Sequence, residues 1–137
     1  MFGKVCDWKA YIASPPPTRT SAVSLTEAQQ QVCSDITAQM GSFKPHLLEG
    51  ITGSGKTEVY IECIKAVMSK GLQALVIIPE IGLTPQTKER FEKALGCEVP
   101  LIHSGLSMTE RGRTWAMARS GIAPVVLGTR SSVFCSF

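Results

Sequence analysis

The sequence predicts an α/β protein in which a parallel sheet lies between layers of helix. Three observations carry this. From residue 45 onward, short apolar runs alternate with stretches of helical periodicity, the order that βαβ units impose. The run Ala74-Leu75-Val76-Ile77-Ile78 is apolar at every position, so both faces of that strand need cover, as in a parallel sheet between helices. A glycine-rich turn over residues 50–55 joins an apolar run to a helix, the junction such units are built around. Composition agrees: 137 residues, 44% hydrophobic and 18% charged, make one globular domain at most. No apolar run reaches the roughly 18 residues a membrane span requires. Lys4, Asp7 and Lys9 stand where a signal peptide would be apolar, so a cytoplasmic protein is expected, without a membrane partner. The net charge of +3 permits a polyanionic partner without demanding one. Five cysteines, Cys6, Cys33, Cys63, Cys97 and Cys135, are scattered without zinc-site spacing and read as reduced, mostly buried thiols.

Each element follows in order. Residues 1–24 form a tail and a linker, with Pro15, Pro16 and Pro17 holding it extended. The folded part is expected over residues 25–137. Ala28, Val32, Cys33, Ile36 and Met40 recur at helical spacing over residues 26–40, with Gly41 as the stop. After Pro45 come a strand over residues 46–49, the glycine turn, and a helix from Thr57. Its apolar face is read as Tyr60, Cys63, Ile64, Val67 and Met68, ended by Gly71. The strand at residues 74–78 leads to a helix capped by Thr84 with Pro85 at its first position and Gly96 as its stop. Residues 99–102 are a third strand. Ser107 and Glu110 form a capping box opening a helix to Arg119, with Trp115 as core anchor and Gly121 as stop, and residues 124–127 are a fourth strand. There is no internal repeat.

The turn reads Gly50-Ile51-Thr52-Gly53-Ser54-Gly55-Lys56-Thr57, a full match to G-x-x-x-x-G-K-[ST] in the strand-to-helix context that motif needs. Glycines let successive N–H groups face one concavity, and the positive end of the next helix adds attraction for phosphate oxygens. In such a loop Lys56 reaches the β- and γ-phosphates and the Thr57 hydroxyl ligates Mg²⁺, so ATP and Mg are the expected cofactors. Phosphoryl transfer also needs a metal-holding carboxylate on a neighbouring strand. Asp7 and Asp35, the only aspartates, both precede the loop, and Glu80 follows Pro79 and is a poor stand-in.

Four further blocks accompany the loop: Leu25-Thr26-Glu27-Ala28-Gln29, residues 76–86, His103-Ser104-Gly105-Leu106 and Gly128-Thr129-Arg130-Ser131. With them the chain resembles the start of the helicase core of the primosomal protein N′ (PriA) family, the bacterial replication-restart helicases. The resemblance implies a RecA-like, three-layer P-loop NTPase lobe, the first lobe of an ATP-driven 3′-to-5′ DNA translocase of superfamily 2. It implies single-stranded or forked DNA and primosome proteins as partners. It places residues 79–86, with Thr84 and Gln86, and residues 128–131, with Thr129 and Arg130, against the DNA strand. It makes Gln29 an adenine-reading glutamine, although Thr26 and Gln29 are also spaced as a capping box, and both readings stand. Glu80 becomes an ordering residue of a DNA-facing loop. His103 is read as a turn-stabilising imidazole, and Trp8 lies outside the resemblance.

The family would continue with a D-E-x-H-like strand, a second lobe bearing arginine fingers and a cysteine-rich zinc module. The chain stops before these, with Ser136 where a proline is usual. A truncated lobe is therefore expected, one that binds ATP without hydrolysing it, is marginally stable and tends to self-associate. Two readings compete with it: a small P-loop kinase or GTPase, and a non-enzymatic module that docks to DNA or to primosome proteins.

Overall fold

The computed structural model describes residues 24–135. Most of the expected tail and linker, with Cys6 and Trp8, and the variant Ser136 lie outside the described residues.

Helix ends lie where local chemistry puts them. α1 (Glu27–Ala38) opens on Thr26, whose hydroxyl accepts from the Gln29 N–H while the Gln29 side chain accepts from the Thr26 N–H, a complete capping box. α2 (Lys56–Ser69) opens on Gly55, held at φ 83°. α3 (Pro85–Leu95) is capped by Thr84 and stopped by Gly96 at φ 69°, and α4 (Met108–Arg119) opens on the Ser107–Glu110 capping box.

Three strands, β1 (Ala74–Ile77), β2 (Leu101–Ile102) and β3 (Val125–Gly128), form one parallel sheet in the order β1-β3-β2. Ala74 faces Val125 and Ile77 faces Gly128 on one side, and Leu101 and Ile102 pair with Leu127 and Gly128 on the other. β3 is buried throughout, since it alone is hydrogen-bonded on both sides. One core joins Ile61 and Ile64 of α2, Phe91 and Leu95 of α3, Val99, Val125 and Leu127. A smaller one, on the other face, joins Ile102, Ala118 of α4, Ala123, Val126 and Cys135. Side chains alternate along β3, so Val125 and Leu127 serve one core and Val126 the other. The result is the expected α/β/α sandwich, with α1 packed outside α2.

Four expectations are corrected. Residues 46–49 form no strand: nothing among the described residues pairs with them, and a short apolar run without a ladder partner stays irregular. β1 is half-buried rather than covered, with Ile77 47% exposed, because β3 flanks it on one side only. Tyr60 and Trp115 are exposed at 44% and 40%. The buried faces of their helices are Val59, Ile61 and Ile64, and Thr114 and Ala118, since α4 meets the sheet through its small residues. Of the described cysteines Cys135 is buried and Cys33, Cys63 and Cys97 are half-buried. All four are free. Burial pushes the Cys63 thiol up to about 11, with Cys33 beside it adding to the effect.

Candidate functional site

The phosphate-loop motif turns directly into α2. Gly53 and Gly55 take φ of 81° and 83°, a left-handed conformation that side chains resist. A Cβ at Gly50 would lie 2.6 Å from the Ser54 hydroxyl, and one at Gly55 would collide with the Gln29 amide. The Ser54 N–H bonds the Ile51 carbonyl at 3.1 Å and closes the turn. Lys56 and Thr57 are the first two residues of α2, so their backbone N–H groups have no intrahelical acceptor and stand at the positive end of the helix. The Lys56 ammonium donates to the Gly50 carbonyl and, at 2.9 Å, to that of Ile51, so the cation is turned back onto its own loop. Ile51 and Thr52 are exposed at the rim and Thr57 is half-buried. These residues fit a phosphate group: glycines where the backbone must be left-handed, free N–H groups and a lysine. A Mg²⁺ ion that keeps waters and phosphate oxygens needs little more from the chain than the Thr57 hydroxyl. No cluster of three or more His, Cys, Asp or Glu occurs among the described residues.

Gln29 has two tasks at once. Its Oε1 accepts from the Thr26 N–H at 2.9 Å, completing the cap, and its Nε2 reaches the Ser54 and Gly55 carbonyls at 3.4 Å each. The amide thereby ties α1 to the phosphate loop. The sequence does not reveal a second tie, the ion pair of Glu58 in the first turn of α2 with Arg90 of α3. A charge pair 32 positions apart has no local signature.

The other expected residues lie at the C-terminal ends of the strands. Glu80 begins a 3₁₀ turn after β1, exposed, with Oε1 accepting from the Ser104 hydroxyl at 3.3 Å. Thr84 spends its hydroxyl on the Thr87 N–H. Thr129 is 3% exposed, its N–H bonded to the Ile102 carbonyl at 3.0 Å, whereas Arg130 is exposed at the start of a 3₁₀ turn, Arg130–Phe134. The imidazole of His103 accepts from the Gly105 N–H at 3.1 Å, the turn-stabilising bond expected of it. Thr84 and Thr129 share a cleft of about 540 Å³ with Glu80, Lys88 and His103. Thr129 and Arg130 border a second, of about 560 Å³, with Ile77, Ile78 and Ile81. Gln86 stands apart, in a groove between α2 and α3 with Glu58 and Arg90. Two separate surfaces result, the phosphate loop and the strand-end edge.

A parallel sheet between helix layers, with a glycine-rich G-x-x-x-x-G-K-T turn opening a helix beside it, defines the class: a P-loop NTPase lobe of RecA-like type. The chain belongs to the ResIII family, described as "Type III restriction enzyme, res subunit", which matches residues 22–135. Within it, the resemblance to the PriA helicase core holds over most of the chain. It is 40% identical over 131 residues to the replication restart protein PriA of Haemophilus influenzae, covering 95% of this chain and 18% of that protein. It is 43% identical over 120 residues to PriA of Synechocystis, covering 88% of this chain and 14% of the relative, and 40% identical over 121 residues to PriA of Bacillus subtilis, covering 87% and 15%. The chain thus spans less than a fifth of the length of these relatives. Among the described residues no helix is long and apolar enough to cross a membrane.

Proposed function

We propose that this chain is the nucleotide-binding part of an ATP-driven DNA helicase of replication restart, a folded lobe over residues 25–137 that binds MgATP through residues 50–57. The observation that carries the reading is the complete G-x-x-x-x-G-K-T turn with Gly53 and Gly55 left-handed at the mouth of α2. On this reading Lys56 leaves the Gly50 and Ile51 carbonyls for the β- and γ-phosphates, and the Thr57 hydroxyl holds Mg²⁺. The ion's contribution is to neutralise phosphate charge. Gln29 takes the adenine edge in exchange for its bonds to the loop. Single-stranded or forked DNA lies along the strand-end edge, with Thr84, Thr129 and above all Arg130 toward its backbone, while Gln86, in the groove between α2 and α3, lies off that edge. The name of the PriA relatives, replication restart protein, supports the DNA reading, and primosome proteins are the partners that the family resemblance implies. Among the described residues the carboxylate that follows β1 is Glu80, which is set behind Pro79 and accepts from the Ser104 hydroxyl. Binding without turnover is therefore expected.

Calorimetry with MgATP tests the loop: the parent binds weakly and Lys56→Ala loses that binding. An Ala variant that binds as the parent does would show that the loop is not the site. Steady-state phosphate release with saturating MgATP and single-stranded DNA stays at background. DNA-stimulated turnover that disappears in Lys56→Ala would overturn the inactive reading, with Glu80 the first carboxylate to replace.

A further inference from the structure

The cleft of about 540 Å³ at the strand ends is built by three separate parts of the chain: residues 80–88 after β1, residues 101–105 at the end of β2, and Thr129 after β3. His103 is a half-buried polar side chain of this cleft, tied at one end of its ring. The Gly105 N–H donates to Nδ1 at 3.1 Å, and the Leu106 N–H bonds the His103 carbonyl at 3.3 Å, so the ring is locked into a tight turn. A nitrogen that accepts an N–H bond carries no proton of its own, so the proton of the neutral ring sits on Nε2 and makes that atom a donor. Among the described residues nothing accepts from it. Gly105 keeps the lock in place, since a Cβ there would press on Nδ1 at 3.2 Å.

The rest of the cleft shows what kind of acceptor suits this donor. Lys88 brings positive charge, its ammonium only partly engaged by Glu92 at 3.3 Å. Glu80 is the acidic group of the cleft, and the Ser104 hydroxyl covers one of its oxygens. Glu110, which also feels His103, is held in its own capping box by Ser107. A fixed donor beside a lysine matches a group that only accepts and carries negative charge, and a phosphodiester oxygen is such a group.

We propose that His103 contacts DNA: its locked Nε2–H donates to a backbone phosphate of a single strand lying across the strand ends, a sequence-independent contact beside Lys88. This rests on the DNA reading of the strand-end edge given above. It goes beyond that reading, because there His103 serves only its own turn.

Two substitutions separate the two ends of the ring. In His103→Asn the side-chain carbonyl can still accept the Gly105 N–H as an Asx turn, but nothing reaches the position of Nε2. In His103→Gln an amide nitrogen can stand near the Nε2 position while the turn acceptor is lost. The measurement is anisotropy of a labelled oligothymidylate with the full chain at low salt, accompanied by thermal melting. His103→Asn is expected to melt like the parent and to bind DNA about fivefold more weakly. His103→Gln is expected to melt lower and, at a temperature where it is folded, to bind within about twofold of the parent. The opposite pattern, Asn binding as the parent and Gln weakened, overturns the proposal and leaves His103 a turn residue. If Arg130→Ala and added salt weaken binding while His103→Asn does not, the inference about His103 falls alone. If the parent shows no salt-sensitive binding to the oligonucleotide, the DNA reading falls and takes this inference with it.

Discussion

The phosphate loop and the strand-end edge lie on one small domain and are held by opposite means. Residues 44–51 join no ladder; Leu47 and Ile51 are 85% and 82% exposed, and the loop is secured by side chains, Gln29 from α1 and Lys56 from α2. The strand-end edge hangs on backbone: Ile78 N–H to the Gly128 carbonyl at 2.8 Å and Thr129 N–H to the Ile102 carbonyl at 3.0 Å, above a β3 whose Val125, Val126 and Leu127 are fully buried. A glycine turn and a helix start make a phosphate cradle from adjacent residues. A cleft such as that around His103 exists only once three distant segments have been brought together by the sheet.

The comparison breaks most visibly in stability. Leu127→Ala removes a side chain at the centre of the larger core and is expected to cost about 3 kcal/mol in urea unfolding, whereas Leu47→Ala should stay within about 0.5 kcal/mol of the parent. Equal costs would mean that the segment before the loop is as well anchored as the sheet.

Gly55→Ala probes the loop's side-chain fastening. It forces a non-glycine residue to φ 83° and drives a Cβ into the Gln29 amide, for an expected loss of about 2 kcal/mol together with MgATP affinity. A variant with parental melting and binding would show that the tie between α1 and the loop is not needed.

A smaller effect is expected at the Glu58–Arg90 pair. Arg90 is half exposed, so Arg90→Gln should cost less than about 1 kcal/mol, and the difference from the parent should vanish in high salt. A salt-independent loss would point to packing rather than charge.

The smallest effect concerns acid. The Ser107 hydroxyl, then its N–H, holds the exposed Glu110 carboxyl below the ordinary value of 4.5. A depressed folded-state value means that this stabilisation is present above the ordinary carboxylate range and is lost as pH falls through the folded value. Glu110→Gln should therefore melt slightly below the parent at neutral pH and converge with it in acid. Parallel melting curves at all pH values would remove the capping carboxylate from the account.

Much of this was legible in the residues. All four helix starts could be read, and α2, α3 and α4 could be followed to their ends, because a cap is settled by bonds spanning three or four positions: Thr26 with Gln29, Thr84 with Thr87, Ser107 with Glu110. The inward faces of α2 and α4 were not. Tyr60 and Trp115 have the larger apolar surface, yet Ile61 and Ala118 face the core, since the rotation of a helix about its axis depends on what it packs against. Gln29 offered two readings on paper, adenine contact and helix cap; in the folded chain Oε1 makes the cap, while Nε2 ties α1 to the Ser54 and Gly55 carbonyls, a contact that neither reading contained.

Helix starts, the parallel character of the sheet and the phosphate-loop motif could be read from the residues alone, because each depends on neighbours in the chain or on unbroken apolar runs. It took the packed fold to put β3 at the centre of the three described strands, to keep residues 46–49 out of the ladder, and to line one cleft with His103, Lys88 and Thr129. The reason is physical: a strand's place, its burial and its edge are set by the backbone hydrogen bonds and side chains of segments tens of residues away, and no local pattern encodes which segment will arrive.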